Sequence, residues 1–350
     1  MGMRHMGGAG TGCAAQPRES GLLDQLALVE PELENRLREG MGRAEKWLRA
    51  TADDASDPRV CAVTGHLAGA GGKRLRPLLV LLGAEFGDPW RDGITQAAVI
   101  AELVHIASLH HDDVMDGAPT RHGVPSAHAR FGERTAVLGG DWLLARAAQL
   151  AAELGPEAVR INARAAGSLV AGQLRELTGP APGEPPVTHY FQVIAGKTAA
   201  LLSMSLGVGA LQAGAPERSV TALTEYGEQL GLAFQIADDL LDLSAPAEHT
   251  GKERGTDLLG GVPTLPVLLA LESDDPADAE LRELLAAGPV PAASARRALE
   301  LFARSPALAE TEAVLRRRLD RARAALDVLP QLPARHALLA LCDYVAHRTS

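Results

Sequence analysis

The sequence predicts an all-α fold on three observations. Apolar residues recur with helical period through almost all of the 350 residues, and no stretch alternates convincingly as a strand would. The composition is rich in Ala and Leu and poor in aromatic residues, at 3%. Two acidic motifs of the form D-D-x-x-D each close an apolar helical run, Asp112-Asp113-x-x-Asp116 and Asp238-Asp239-x-x-Asp242.

Taken in order, residues 1–20 are Gly-rich and unpatterned and read as a disordered tail, leaving residues 21–350 for the bundle. Leucines and alanines then keep helical spacing to about Thr51, with Pro31 marking a break or a first turn. A turn at 53–57 leads into a second helix from Pro58. It ends in Ala68-Gly69-Ala70-Gly71-Gly72-Lys73-Arg74-Leu75-Arg76-Pro77, where three cations fall within four residues. The glycine spacing and the residue after Lys73 exclude a Walker loop. A helix C-cap with basic residues is the plainer reading, but an anion site better explains a basic loop in an acidic protein.

Residues 78–86 and 94–114 are expected as buried helices, the second ending in the first acidic motif. Residues 116–132 read as a loop or broken segment holding Thr120-Arg121-His122-Gly123. Long helices are expected at 135–154 and 157–177, and four prolines make 179–187 a surface loop. The helix at 188–214 carries Lys197-Thr198. Lys197 stands alone among Ala195, Gly196, Thr198, Ala199 and Ala200, which favours a cavity-facing lysine over a snorkelling one. Residues 219–243 form the second acidic helix. The long polar loop 244–263, with Gly251, Lys252 and Asp257, has the length of a functional lid. Helices at 265–272, 278–287, 292–303, 307–329 and 334–346 complete the chain, and the charge-dense 316–323 reads as a solvated face.

The net charge of −10, from 34 basic and 44 acidic residues, disfavours nucleic acid and supplies no polybasic membrane anchor. No uninterrupted apolar run is expected to reach the length of a membrane span, and the N-terminus lacks the apolar segment of a secretory signal. Cys13, Cys61 and Cys342 are far apart, odd in number and outside any C-x-x-C pattern, so they read as free thiols of a cytoplasmic protein.

On a helix Asp112 and Asp116 share a face, with Asp113 rotated by about 100°. Carboxylates that close repel one another unless a cation lies between them. Hard oxygen donors without Cys or a His trio suit Mg²⁺, with Mn²⁺ as the second choice. One such cluster reads equally well as a solvated helix end. Its recurrence 126 residues later favours two half-sites facing across a cavity, bridged by a substrate that carries a diphosphate. His110 and His111 form no metal set and read as polar wall or satisfied buried imidazole.

These motifs together resemble the trans-isoprenyl diphosphate synthase (polyprenyl synthetase) family over about residues 21–348. Five separated motifs stand in the family's order: Gly71-Gly72-Lys73-Arg74-Leu75-Arg76-Pro77, the first Asp motif, Gly196-Lys197-Thr198, Phe234-Gln235 with the second Asp motif, and Thr264-Leu265-Pro266. The resemblance implies a single large isoprenoid synthase-like helical bundle around a central cavity, usually homodimeric. It implies that Asp112, Asp113 and Asp116 bind two Mg²⁺ and that Asp238, Asp239 and Asp242 bind a third, holding an allylic diphosphate with Arg121, Lys197 and Lys252. Lys73, Arg76 and His105 match positions that hold isopentenyl diphosphate, and Thr198 and Gln235 match positions beside the developing carbocation. The implied reaction is head-to-tail condensation of those two substrates, driven by ionisation of the allylic diphosphate without a protein nucleophile.

Two departures stand out. His122 occupies a position where the family commonly has a second Arg that helps hold isopentenyl diphosphate. Val262 stands where a Lys is frequent. A class I terpene cyclase fits less well, because it lacks the Lys73–Arg76 loop and its second metal motif has wider spacing. A non-catalytic subunit fits less well because all six Asp remain. Down the helix from Asp112, at about 1.5 Å per residue, lie Ser108, Ala107 and Val104, and the first two match positions where short-chain members of the resembled family carry a bulky aromatic floor. Small residues there predict an open tunnel and a product beyond C20, a C15 or C20 product being the alternative. The competing reading gives Ala107 and Ser108 only a helix-packing role.

Overall fold

The computed structural model describes residues 22–25, 30–244 and 254–348, so the expected tail at 1–20 and Lys252 lie outside the described residues. The helices are α1 Leu22–Gln25, α2 Pro31–Ala52, α3 Pro58–Gly69, α4 Leu75–Ala84 and α5 Ile94–Met115. A two-strand hairpin, β1 Thr120–Arg121 and β2 Val124–Pro125, precedes α6 Ala127–Phe131. Then come α7 Glu133–Leu154, α8 Pro156–Thr178, α9 Pro186–Ile194, a π-turn at Ala195–Ala199, α10 Ala200–Gln212 and α11 Glu217–Ser244. The rest is α12 Thr256–Gly260, α13 Leu265–Glu272, α14 Ala279–Ala286, α15 Ala292–Phe302, α16 Pro306–Ala325 and α17 Pro333–His347.

Prolines set many of the starts, because the missing N–H is one the first turn would leave unpaired anyway. Pro31, Pro58, Pro156, Pro186, Pro306 and Pro333 all occupy such positions. Asp57 adds a side-chain cap on the Arg59 N–H at 2.9 Å. The centre belongs to α4, α5 and α10, which are apolar nearly all round and therefore buried. Around them pack α2, α7, α8 and α11, with α16 and α17 closing against α11. A second, smaller apolar cluster joins α12 to α15 through Leu258, Leu281, Leu301 and Phe302.

Three expectations need correction. The segment 116–132 is not simply a loop: its hairpin turns at His122 and Gly123, whose φ of 50° and 76° are the two positive values that a tight two-residue turn requires. The helix expected across 188–214 is interrupted at its functional residues by the π-turn. The run Pro186–Gln212 is, by length and composition, long and apolar enough to cross a membrane, contrary to the expectation that no run would be; 67% of its most apolar window is buried inside the bundle, as befits a core helix.

Candidate active site

The last turn of α5 presents the first motif. Asp116 N–H donates to the Asp112 carbonyl at 2.8 Å, so helical geometry persists to the third carboxylate. Asp113 is fully buried; Arg121, on β1, donates to its Oδ1 through Nε at 2.8 Å and Nη2 at 2.5 Å, while Oδ2 has no hydrogen-bond donor. The hairpin is thus the device that swings a cation back over the helix end. Burial pushes the Asp112 carboxyl up to about 6, Lys197 pulls against it, and Asp116 and Glu176 push the same way. That mutual influence places α5, α8 and the π-turn around one site.

The π-turn owes its position to close backbone approaches. A Cβ on Gly196 would lie 2.6 Å from the Ser168 carbonyl oxygen, and one on Gly231 of α11 would lie 2.4 Å from Ala199 Cα. Only glycine lets α8 and α11 come this near. Lys197 from this turn is ion-paired with Glu176. Lys197, Thr198, Glu176, Tyr190, Gln235 and Asp239 line a cavity of about 280 Å³. Val193, Ile194 and Leu268 supply apolar wall, and Val262 lines it too, so no cation stands where the family frequently has one.

The second motif lies on α11 and is already engaged. Asp238 is ion-paired with Arg348 Nη2 at 2.8 Å. Asp242 accepts the backbone N–H groups of Thr256 and Asp257 at 3.1 Å each, anchoring α12. Asp239 accepts from Tyr190 Oη at 2.6 Å, from the Leu265 N–H at 3.1 Å and from Gln235 Nε2 at 3.2 Å. Burial raises its carboxyl to about 7 against the pull of those donors.

The basic loop contains its own division of labour. Arg74, at φ 48°, is spent on structure, bonding Glu45, Glu102 and the Ala68 carbonyl. Arg76 keeps a buried Nε without a partner, and burial lowers its pKa. Burial and then the neighbouring Arg76 and His122 hold His105 well below the ordinary histidine value. Burial and then Arg121 and Arg74 lower His122. Lys73 is exposed. A cluster of cationic groups with an orphaned guanidinium N–H is what an anion site looks like before its anion.

Val104 and Ala107 are buried in the main core below Asp112, and Ser108 Oγ turns back to the His105 carbonyl at 2.8 Å. His110 corrects the expectation of a satisfied imidazole. It is fully buried, burial lowers its pKa to about 4, and neither ring nitrogen has a partner in hydrogen-bond geometry; the Ala136 carbonyl is near enough only to oppose that lowering.

Residues 57–302 match the family model described as polyprenyl synthetase. The chain belongs to the polyprenyl synthetase family. It is 42% identical over 314 residues to the nonaprenyl diphosphate synthase of Mycobacterium tuberculosis, covering 89% of this chain and 93% of the relative. It is 38% identical over 329 residues to heptaprenyl diphosphate synthase component 2 of Geobacillus stearothermophilus, covering 93% and 97%. A crystal structure of geranylgeranyl pyrophosphate synthase from Corynebacterium glutamicum, complexed with calcium and isoprenyl diphosphate, superposes with a TM-score of 0.83 at 38% identity, covering 92% of this chain and 99% of that one.

Within this polyprenyl synthetase framework, sequence reasoning missed three partners: Glu176 on Lys197, Tyr190 on Asp239 and Arg348 on Asp238. Tyr190 carries a usable signal, lying seven residues and two helical turns before Lys197. Arg348, near the chain end, carries none. Among the described residues no three acidic, His or Cys side chains yet converge on one point. Arg121, Arg348, Tyr190 and the α12 amides each already engage one of the carboxylates. The donor set still fits a hard divalent ion: it is all carboxylate, and the buried Oδ2 of Asp113 lacks a donor.

Proposed function

We propose that the chain condenses isopentenyl diphosphate head-to-tail with an allylic diphosphate, using Mg²⁺ or Mn²⁺, and extends the product beyond C20. The observation that carries this reading is that Lys197, Thr198, Gln235 and Asp239 of the second acidic motif line one partly apolar cavity, with Asp112 of the first motif close enough to Lys197 to feel its charge. Asp112, Asp113, Asp116, Asp238 and Asp242 would hold the divalent ions, with Asp239 buried behind them. When bound, those ions neutralise charge on the departing diphosphate as Lewis acids.

The chain's own groups do the rest. Arg121 and Lys197 bind the allylic diphosphate once Asp113 and Glu176 release them, and Lys252 is expected at the same group. Arg76, Lys73, His105 and His122 hold isopentenyl diphosphate. Thr198 and Gln235 present oxygen atoms to the carbon from which the diphosphate leaves, and Tyr190, Val193, Ile194 and Leu268 keep water from it. The alkene carbon of isopentenyl diphosphate then bonds to that carbon, and a proton is lost, with the released diphosphate as acceptor.

Small residues at Val104, Ala107 and Ser108, together with the likeness to a nonaprenyl synthase, support the long product. A homodimer is supported by an exposed apolar stripe on α8, where Val170, Leu174 and Leu177 recur at helical spacing beside Leu138 of α7. The Geobacillus relative's name, component 2, favours one second reading, in which activity needs a partner subunit.

Incubation of the purified chain with labelled isopentenyl diphosphate and each short allylic primer tests all of this. The expected product is a divalent-dependent polyprenyl diphosphate longer than C20. A ladder ending at C15 or C20 would overturn the length assignment. Label-free cyclic products would favour the cyclase, and silence with every primer would point to a missing subunit.

A further inference from the structure

Tyr190, Asp239, Gln235 and Thr198 form one hydrogen-bonded chain running from α9 through α11 to the π-turn. Tyr190 Oη donates to Asp239 Oδ2 at 2.6 Å, with the Leu265 N–H on the same oxygen at 3.1 Å. Gln235 Nε2 donates to Asp239 Oδ1 at 3.2 Å, and Thr198 Oγ1 donates to Gln235 Oε1 at 3.0 Å. Each bond fixes the direction of the next. A carboxylate accepts, so the Gln235 amide turns its NH₂ toward Asp239 and its oxygen toward Thr198. The Thr198 proton is then committed to that oxygen. Lone pairs of Thr198 Oγ1 and Gln235 Oε1, rather than N–H or O–H donors, are left to the cavity that all four residues line.

We propose that Tyr190 and Asp239 are positioning residues that set the polarity of this chain, so that the reacting carbon meets oxygen lone pairs as positive charge develops on it. The inference rests on the prenyl-transfer reading above. As the C–O bond breaks, the diphosphate departs with the electron pair and the allylic carbon becomes positive. Fixed dipoles aimed at developing charge in a dry site lower the barrier, whereas a reversed amide would aim an N–H at a cation and raise it. Burial supports the division of roles: Asp239 is 3% exposed with both oxygens engaged, while the Asp238 side chain is 38% exposed. Asp239 therefore serves the hydroxyl and the amide.

The test is a double-mutant cycle on the full-length protein at saturating divalent ion, comparing Tyr190→Phe, Thr198→Val and the pair. Tyr190→Phe keeps the ring and removes only the donor. We expect it to lower kcat about tenfold, with KM for both diphosphates and the half-activating ion concentration unchanged within about twofold. The pair should lose less than the product of the two single losses, because Tyr190 reaches Thr198 only through Gln235, whose own oxygen still depends on Asp239 when the Thr198 hydroxyl is gone. Should Tyr190→Phe prove unstable on heating, the same comparison in a Gln235→Met background, which cuts the chain at its middle, should show no further effect of Tyr190→Phe. Losses that multiply, or a loss recovered by more divalent ion, overturn the proposal. A wild type that consumes the allylic diphosphate without condensing isopentenyl diphosphate would instead sink the prenyl-transfer reading, so the two failures are distinguishable.

Discussion

The first acidic motif ends a helix and the second lies within one, and their surroundings differ accordingly. At the end of α5, Asp116 is exposed and Asp113 answers to a single cation on a short hairpin, so one movement of Arg121 uncovers the site. On α11 the carboxylates reach four other parts of the chain: Arg348 after α17, the amides opening α12, Tyr190 on α9 and the Leu265 N–H of α13. One motif is thus held by a single side-chain partner, while the other also ties several parts of the fold together. The same five-letter pattern carries different physical duties because burial and reach, not residue identity, decide what a carboxylate does.

The largest expected effects test what the two regions share. Asp112→Ala and Asp238→Ala should each lower turnover by about 10²–10³-fold, equivalent to about 3–4 kcal/mol of lost transition-state stabilisation. Helical circular dichroism should be retained, and EDTA should abolish wild-type turnover. Activity undiminished in EDTA, or near-normal turnover in either variant, would remove the divalent ion from the mechanism.

A second substitution asks what lies beneath the first motif only. Ala107→Phe places a ring about 7.5 Å below Asp112, in a column otherwise occupied by Val104 and Ala101. It should shorten the main product by several isoprene units while condensation continues, read by chromatography of the dephosphorylated products. An unchanged distribution would move the floor of the tunnel to another helix.

The anchoring role of the second motif predicts a stability contrast, measured in EDTA so that metal binding does not enter. Asp242→Ala removes the acceptor for two backbone N–H groups and should cost about 1 kcal/mol, lowering Tm by about 2 °C. Asp116→Ala, at an exposed helix C-terminus where negative charge is unfavourable, should leave Tm unchanged or slightly raised. Equal losses would erase the distinction drawn between the regions.

Much of this was legible in the sequence because its signals are local. Periodicity located the long helices, and both acidic motifs, the basic loop and Lys197-Thr198 announce themselves within a few residues. What was hidden depends on partners distant along the chain. Glu176 finds Lys197 only because Gly196 lets α8 and the π-turn touch, and Asp239 becomes a hub only when α9 and α13 arrive beside α11. The π-turn escaped because Ala195 to Ala199 are compatible with a regular helix. The hairpin escaped because its strands are two residues long. The apolar run through α9 and α10 looked interrupted by Lys197, although its length and composition suffice for a span.

The smallest effect concerns the hairpin beside the first motif, which has no counterpart near the second among the described residues. His122 faces Arg121 and Arg74, with Glu102 and Asp113 as the acidic neighbours that oppose them, and burial together with the two arginines lowers its pKa. A histidine with a depressed pKa is neutral in the empty protein near pH 7, so it holds a diphosphate as a cation only by taking up a proton on binding. That uptake becomes harder as pH rises. Through this group the KM for isopentenyl diphosphate should therefore climb between about pH 6 and 8, the range in which imidazole ordinarily titrates. His122→Arg supplies a permanent cation. It should lower KM at pH 8 by about threefold, equivalent to somewhat under 1 kcal/mol, and flatten the profile toward the pH dependence of the diphosphate itself. Initial rates across that range in both proteins, at saturating allylic substrate, provide the comparison. Superimposable profiles would show that the imidazole does not touch the substrate, and the hairpin's role would then rest on Arg121 alone.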